Sequence, residues 1–279
     1  MQWICRESNP EGSIGTTLND IAEQPNFSVI PKGDTTMSDT SCADCPLRSR
    51  GGFTPVSEEE LAFIERFRRR ESTLEAGAAI LREGESSEFL FTLRAGWAFR
   101  YRSLSDGRRQ ILSFLLPGDF LGLQAELSGQ LPHGVEALTP VRLCVFPRNE
   151  LWDLYRGFPG LAYDLTWLSA HEELIVDENL LTVGRRSAVE RIAMLLVHLY
   201  KRARSVGEGD ESGVNFPLNQ QHIADALGLS LVHTNKSLRR LHAYGLHELS
   251  ANRLRILKVD ALQNLAEYYA LPLRGRRLI

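Results

Sequence analysis

Between Ser230 and Arg240 the chain sets out Ser230, His233, Thr234, Asn235, Lys236, Arg239 and Arg240, a run of hydroxyl, imidazole, carboxamide, ammonium and guanidinium groups. Such donors and acceptors suit the edges of bases and the oxygens of phosphates. Asn pairs bidentately with adenine, and Lys and Arg bond guanine or phosphate. Sulfur is the second chemistry. Cys42 and Cys45 stand in a C-x-x-C spacing, Cys144 lies far along the chain, and Cys5 sits near its start. Thiolates hold zinc or iron–sulfur clusters and act as redox switches. A cysteine in an apolar strand, as Cys144 is in Val141–Phe146, also serves as a small buried hydrophobe. The residues alone leave these readings open.

The polar run needs a helix to present it. Asn219–Leu227 and Leu231–Ala243 read as two short amphipathic helices, with Ile223, Ala224 and Leu227 inward on the first and Leu231, Leu238 and Leu241 inward on the second. Gly228 suits the tight turn between them, and Ser230 suits the N-cap of the second. This is the pattern of a helix-turn-helix, whose second helix enters the DNA major groove. Leu246–Leu249 and Arg253–Val259 alternate like two strands about Ser250-Ala251-Asn252, the place for a winged hairpin. Charge segregates too. From Pro217 to Ile279 nine Lys/Arg stand against four Asp/Glu, a net of +5 in a chain whose formal charge is −3, so the rest carries −8. A basic end on an acidic protein is an electrostatic footprint for a polyanion.

At 279 residues, 43% hydrophobic and 24% charged, the chain has room for two domains of ordinary globular composition. It contains no long apolar run and no basic start followed by an apolar stretch, so neither a membrane span nor a secretory signal is expected, and the expected location is the cytoplasm. Four cysteines there are not expected to form structural disulfides. No G-x-S-x-G, H-E-x-x-H, P-loop or dinucleotide fingerprint occurs, and the seven histidines are scattered; an enzyme is not expected.

Residues 1–52 lack apolar periodicity and are expected to be mostly disordered, with Met37 as a second candidate start. Ser57–Arg69 opens with a capping box and reads as a helix. Ser72–Pro147 then breaks into short apolar stretches punctuated by glycine turns, which predicts a double-sheet jelly roll. From Phe158 to Thr182 Leu161, Leu165, Leu168, Glu172 and Ile175 recur at spacings of four and three, a coiled-coil-like seam read here as a dimer contact, with packing on the helix's own domain as the alternative. Ser187–Lys201 is a further helix, Arg204–Asn215 a polar loop, and Asp260–Tyr269 a last helix before a basic end at Arg274, Arg276 and Arg277. The expected domains are an N-terminal extension with C-x-x-C (1–52), a jelly-roll sensor (53–157), a dimerisation helix (158–184) and a winged helix-turn-helix (185–279).

This order of parts resembles the Crp/Fnr family, named for the cyclic-AMP receptor and the fumarate–nitrate reduction regulator. The residues that carry the likeness are Arg82-Glu83-Gly84-Glu85, Leu116-Pro117-Gly118-Asp119-Phe120 and the Gly228-Leu229-Ser230 turn with its second helix. The resemblance implies an α+β chain. Its parts are an N-terminal double-stranded β-helix (a cyclic-nucleotide-binding-like jelly roll), a long dimerisation helix and a C-terminal winged helix-turn-helix. It also implies a homodimeric transcription factor whose partners are double-stranded promoter DNA and RNA polymerase, with no membrane. The alternative is a cyclic-nucleotide-like ligand-binding module without sequence-specific DNA binding.

Departures from the family pattern shape the expectations further. Where the cyclic-AMP-binding branch has a Gly-Glu pair and then an Arg-Ser pair, this chain has Gly122-Leu123-Gln124 and Pro132-His133-Gly134, so no arginine waits for a cyclic phosphate and cyclic AMP is not the expected ligand. The chain sits closer to the oxygen-sensing, Fnr-like branch, where Cys42, Cys45 and Cys144 match an iron–sulfur ligand set. The third N-terminal cysteine of that set is Gly51 here, and Cys5 could supply a fourth thiolate only if the long N-terminus belongs to the working protein. In the second helix that branch has Glu and then Ser-Arg, where this chain has Val232 and then Asn235-Lys236, so a different operator is expected.

Overall fold

Ser57 and Glu60 begin the first helix, α1 (Glu58–Phe67), by a reciprocal cap. The Glu60 amide donates to Ser57 Oγ at 3.1 Å, and the Ser57 amide donates to Glu60 Oε2 at 2.9 Å. Its inner face, Phe63, Ile64 and Phe67, is buried. The structure, a computed structural model, describes residues 40–124, 129–268 and 275–279. Cys5, Met37, Arg274 and most of the N-terminal extension therefore lie outside the described residues.

Eight strands follow: β1 (Arg70–Leu74), β2 (Ala79–Leu81), β3 (Phe89–Ala95), β4 (Ala98–Ser103), β5 (Arg109–Leu115), β6 (Phe120–Leu121), β7 (Gly134–Ala137) and β8 (Val141–Pro147). They form two four-stranded sheets, in the orders β1-β8-β3-β6 and β2-β7-β4-β5, with every pairing antiparallel. This is the two-sheet jelly roll expected from the turn signals. Leu90, Phe91, Leu93, Val145 and Phe146 from the first sheet, Phe99, Val135 and Ala137 from the second, and Trp97 in the turn between β3 and β4 are buried. Gly118 shows why a turn needs glycine: its φ is +93°, and a Cβ there would lie 2.2 Å from the Phe53 ring.

A short helix, α2 (Leu151–Gly157), leads into the long α3 (Pro159–Arg185), which starts with proline at a position that needs no amide. Then come α4 (Ala188–Ser205), β9 (Gly209–Asp210), β10 (Gly213–Asn215), α5 (Gln220–Leu227), α6 (Leu231–Ala243), β11 (His247–Ser250), β12 (Arg253–Ile256) and α7 (Val259–Ala266). The wing belongs to a four-stranded sheet, β11-β12-β10-β9. Arg204–Asn215, read from sequence as a polar loop, thus contains two of its strands. Ser250 pairs with Arg253 across a two-residue turn in which Ala251 (φ +48°) and Asn252 (φ +58°) are both left-handed. No helix among the described residues is long and apolar enough to cross a membrane.

Two expectations are corrected here. Residues 40–52 are not without structure. They form successive turns, with Cys42 and Leu47 buried against the jelly roll and the C-terminus. The seam on α3 is also not free. Leu161, Leu165 and Leu168 are buried in the chain's own core with Phe63, Ile64, Leu151 and Leu154. The apolar stripe was real, but jelly roll and α2 already cover it.

Candidate functional site

Local caps and one longer-range hydrogen bond set the ends of the helix-turn-helix. Asn219 caps α5 by accepting from the His222 amide at 2.9 Å. Gly228 ends the helix at φ +62°, and Arg191 Nη1 donates to the Leu227 carbonyl at 2.9 Å, satisfying one of the carbonyls a helix end leaves open. Ser230 caps α6 by accepting from the His233 amide at 3.3 Å. Ile223, Leu227, Leu238 and Leu241 then meet Phe216, Leu196 and Leu262 in one core.

The outer face of α6 presents Ser230, His233, Lys236, Arg239 and Arg240, all exposed, with Asn235 partly so. Val232, 75% exposed, stands on the same side. Its branched methyls can do what the family's Glu cannot, which is contact a thymine methyl. Thr234 does not belong to this face. It is 0% exposed, and its hydroxyl has no hydrogen-bond partner among the described residues. The reason is spacing: Thr234, Leu238 and Leu241 fall at i, i+4 and i+7 on the buried stripe. Leu231, expected inward, is 44% exposed at the first turn. Two of the groove-facing groups are held locally. The His233 ring bonds Ser230 Oγ at 2.9 Å, and Arg240 Nε donates to the Tyr244 hydroxyl at 2.8 Å. The basic end divides as well. Arg276 and Arg277 pair with Asp119, Asp164 and Glu60 of the rest of the chain, so they add nothing to a polyanion surface.

The reading head is docked on the jelly roll. Gln110 Nε2 of β5 donates to the Ala226 carbonyl of α5 at 2.9 Å, Arg109 pairs with Asp225 at 3.6 Å, and Asn179 Nδ2 of α3 donates to the Leu112 carbonyl at 2.7 Å. Inside the jelly roll, the buried Arg100 of β4 pairs with Glu172 of α3, which also accepts from Gln124 Nε2 at 3.1 Å. His133 beside it is buried and neutral: burial and the Arg100 charge push its imidazole down to about 4. The family resemblance put Gln124 and His133 within the stretches that hold the nucleotide in the cyclic-AMP branch, but sequence reasoning missed Arg100 and took Glu172 for a seam position. The polar residue at an otherwise apolar register was the signal.

With Leu161, Leu165 and Leu168 covered, a second stripe of α3 faces solvent. Tyr163, Ala170, Leu174, Leu180 and Leu181 are exposed, and Trp167 is partly so, stacked on His171. Tyr163, Trp167, Ala170 and Leu174 step by four, three and four, and Leu181 follows seven further on, with Asp177 at the position between, the spacing of a two-helix contact.

The cysteines converge. Cys42, Cys45 and Cys144 line one cleft with Arg68, Glu71, Thr92, Arg94 and the C-terminal Leu278 and Ile279. Burial pushes the Cys42 thiol up and that of Cys144 up to about 12, against the pull of Arg68. This cleft holds three thiols among the described residues, one short of a four-thiolate cluster, and Leu278 and Ile279 line it too; Cys5 lies outside the described residues. Among the described residues no group of three His, Cys, Asp or Glu side chains is placed to hold a metal ion.

Residues 71–157 match the cyclic nucleotide-binding domain and residues 190–265 the Crp-like helix-turn-helix domain. The nitrogen fixation regulation protein FixK of Rhizobium meliloti (strain 1021) is 33% identical over 195 residues, 70% of this chain and 86% of that protein. The transcriptional activatory protein AadR of Rhodopseudomonas palustris is 30% identical over 230 residues, 80% and 92% of the two chains. Among solved structures, FixK2 from Bradyrhizobium japonicum superposes with a TM-score of 0.64 at 28% identity, covering 72% of this chain and 98% of that one.

Proposed function

The chain belongs to the Crp/Fnr family of DNA-binding transcription regulators, and we propose that it acts as a homodimer on promoter DNA in response to a redox signal read at its cysteines. The observation that carries the DNA-reading part is the outer face of α6, where Val232, His233, Asn235, Lys236 and Arg239 project together while Thr234, Leu238 and Leu241 anchor the helix from behind. Two such helices, related by a two-fold axis along α3, would meet successive major grooves of one operator. Tyr163, Trp167, Leu174 and Leu181 supply the contact. A factor of this kind works in the cytoplasm, with double-stranded promoter DNA and RNA polymerase as partners.

Cyclic AMP does not suit the jelly-roll cleft. Its buried arginine, Arg100, is committed to Glu172, and Gln124 and His133 offer no second cation for a phosphate. The cysteine cleft is one thiol short of a four-thiolate cluster among the described residues, and thiol chemistry is the reading for Cys42, Cys45 and Cys144. We place no catalytic step in the molecule. The test is a gel shift on promoter DNA with reduced and oxidised protein. Specific retardation that changes with thiol state supports the reading. Retardation indifferent to oxidation removes the redox signal, and no specific retardation removes DNA reading.

A further inference from the structure

The last five residues, Gly275–Ile279, follow the DNA-binding domain in sequence yet lie against the sensor domain. Arg276 extends the backbone of Phe53 as a parallel bridge, with the Thr54 amide donating to the Arg276 carbonyl at 2.9 Å. Its guanidinium lies 5.1 Å from the centre of the Phe53 ring, donates to the Gly118 carbonyl at 2.5 Å and pairs with Asp119 at 3.6 Å. Arg277 pairs with Asp164 at 3.0 Å and with Glu60 at 3.3 Å. Beyond these two charged clasps the chain ends in two apolar residues, and both are buried: Leu278 packs with Leu47 and Phe53, and Ile279 joins the cluster of Cys42, Ile64, Leu90 and Phe146. Thr92 Oγ1 donates to the Ile279 backbone oxygen at 2.5 Å.

We propose that Gly275–Ile279 is an intramolecular ligand of the sensor domain, whose terminal Leu278-Ile279 pair covers the cleft of Cys42, Cys45 and Cys144 and thereby sets access to those thiols. The occupant is chosen by complementarity on every side. Two arginines meet three carboxylates, two aliphatic side chains meet an apolar floor, and a backbone oxygen meets a hydroxyl. A five-residue segment at a chain end can release as a local unit, at less than the energy of global unfolding. Each opening would admit water and reagent to the cleft, where Arg68 favours the thiolate once the desolvation that holds Cys144 protonated is relieved. The coupling is reciprocal: a group added to a thiol occupies the tail's space and favours the released tail. Its regulatory consequence rests on the thiol reading above, but the seat of the tail stands on the contacts themselves.

The test is residue-resolved alkylation by iodoacetamide under native conditions, read by peptide mass mapping. Three proteins are compared: the full chain, the chain ending at Gly275, and the chain carrying Leu278→Asp with Ile279→Asp, which keeps both arginine clasps. Labelling of Cys42 and Cys144 is expected to quicken about tenfold or more in both variants, since it follows the population of the open state. A synthetic Gly-Arg-Arg-Leu-Ile peptide should slow it again in the truncated chain. That rescue separates loss of a cover from loss of the fold, because a free peptide cannot protect thiols of an unfolded chain. Conversely, alkylated full chain should be cut faster by trypsin after Arg276 and Arg277. Equal labelling rates in the three proteins, or rates in the truncated chain that ignore the peptide, would overturn the proposal. Peptide-reversible labelling in a protein whose DNA binding ignores oxidation would support the covering tail and remove only the redox reading.

Discussion

Arg202 Nη2 of α4 donates to Asp119 Oδ2 of the sensor turn at 2.5 Å, so the first helix of the DNA-binding domain and the loop between β5 and β6 share one buried ion pair. Arg202 Nη1 also donates to the Phe114 carbonyl at 2.8 Å. Burial pushes the Asp119 carboxyl up, but Arg202 and Arg276 together outweigh it and hold the group below the ordinary carboxylate range. Asp119→Asn would leave two arginines without their counter-ion in a largely buried site. Removing one member of a buried pair costs about 3–5 kcal/mol. Urea unfolding should show a midpoint lowered accordingly, with the jelly roll loosened from α4. A depressed carboxylate stabilises the fold above its unfolded-state pKa and loses that contribution as pH falls through the folded one. The Asp119 contribution is therefore expected to vanish only below about pH 4. An unchanged midpoint would mean that Arg202 and Arg276 are solvated rather than paired.

A second acid effect lies higher on the pH scale. His133 and His247 are both buried, and burial pushes each down to about 4, with the neighbouring Arg100 and His242 adding to the shift. A histidine depressed in the fold binds protons more readily once unfolded. Its contribution is complete above about pH 6.5 and is lost as pH falls toward 4, by at most about 3 kcal/mol per site. Stability measured at pH 7.5, 6 and 4.5 should fall steadily, and His247→Gln should flatten the slope. Proton titration by NMR that found either ring charging near pH 6.5 would sink the idea.

The two faces of α3 make opposite forecasts. Leu165 sits in the chain's own core, so Leu165→Ala should lower stability by about 2–5 kcal/mol and leave the oligomer intact. Leu174 and Leu181 are 49% exposed, so Leu174→Glu with Leu181→Glu should fold as well as the parent yet sediment as a monomer and bind operator weakly. Light scattering decides. A dimer that survives the exposed pair would place the contact elsewhere.

What was legible in the sequence follows from how local each signal is. Ser57–Glu60, Asn219–His222, Gly228 and Ser230 fix helix ends through contacts within a few residues, so those ends could be read directly. The jelly roll was legible because its turn glycines recur between apolar stretches. Thr234 was misplaced for want of counting on: a residue four before Leu238 and seven before Leu241 shares their face. The α3 seam misled for a different reason. A heptad stripe reports that something apolar covers it, not whether the cover is a second chain or α1 and α2 of the same one. Cys42–Gly52 and Leu278-Ile279 are too short for any period to show, and their order comes wholly from distant partners. Arg276 looked like part of a basic tail because the sequence cannot show Asp119 beside it.

The last expectation concerns DNA reading, where the structure separates residues that sequence had grouped. Asn235 and Lys236 lie on the outer side of the second turn of α6, where a recognition helix meets base edges. Asn235→Ala and Lys236→Ala should each cost about 1–3 kcal/mol of operator binding and relax preference at one position per half-site. Val232 offers only methyls, so Val232→Glu should shift preference from thymine toward cytosine at its base pair, and Val232→Ala should weaken binding modestly. Arg239 and Arg240 come later on the helix and are expected to meet phosphates rather than bases. Arg239→Ala should weaken operator and scrambled DNA alike and reduce the salt slope by about one unit. Arg240 is braced by the Tyr244 hydroxyl, so Tyr244→Phe should reproduce part of its loss without touching charge. Thr234 provides the control. Its buried hydroxyl lacks a partner among the described residues, so Thr234→Val should hold or raise stability and leave every DNA isotherm unchanged. Isotherms at several salt concentrations on both DNAs test the whole set. Thr234→Val altering base preference, or Lys236→Ala lowering specific and non-specific affinity equally, would show that α6 meets the groove by another face.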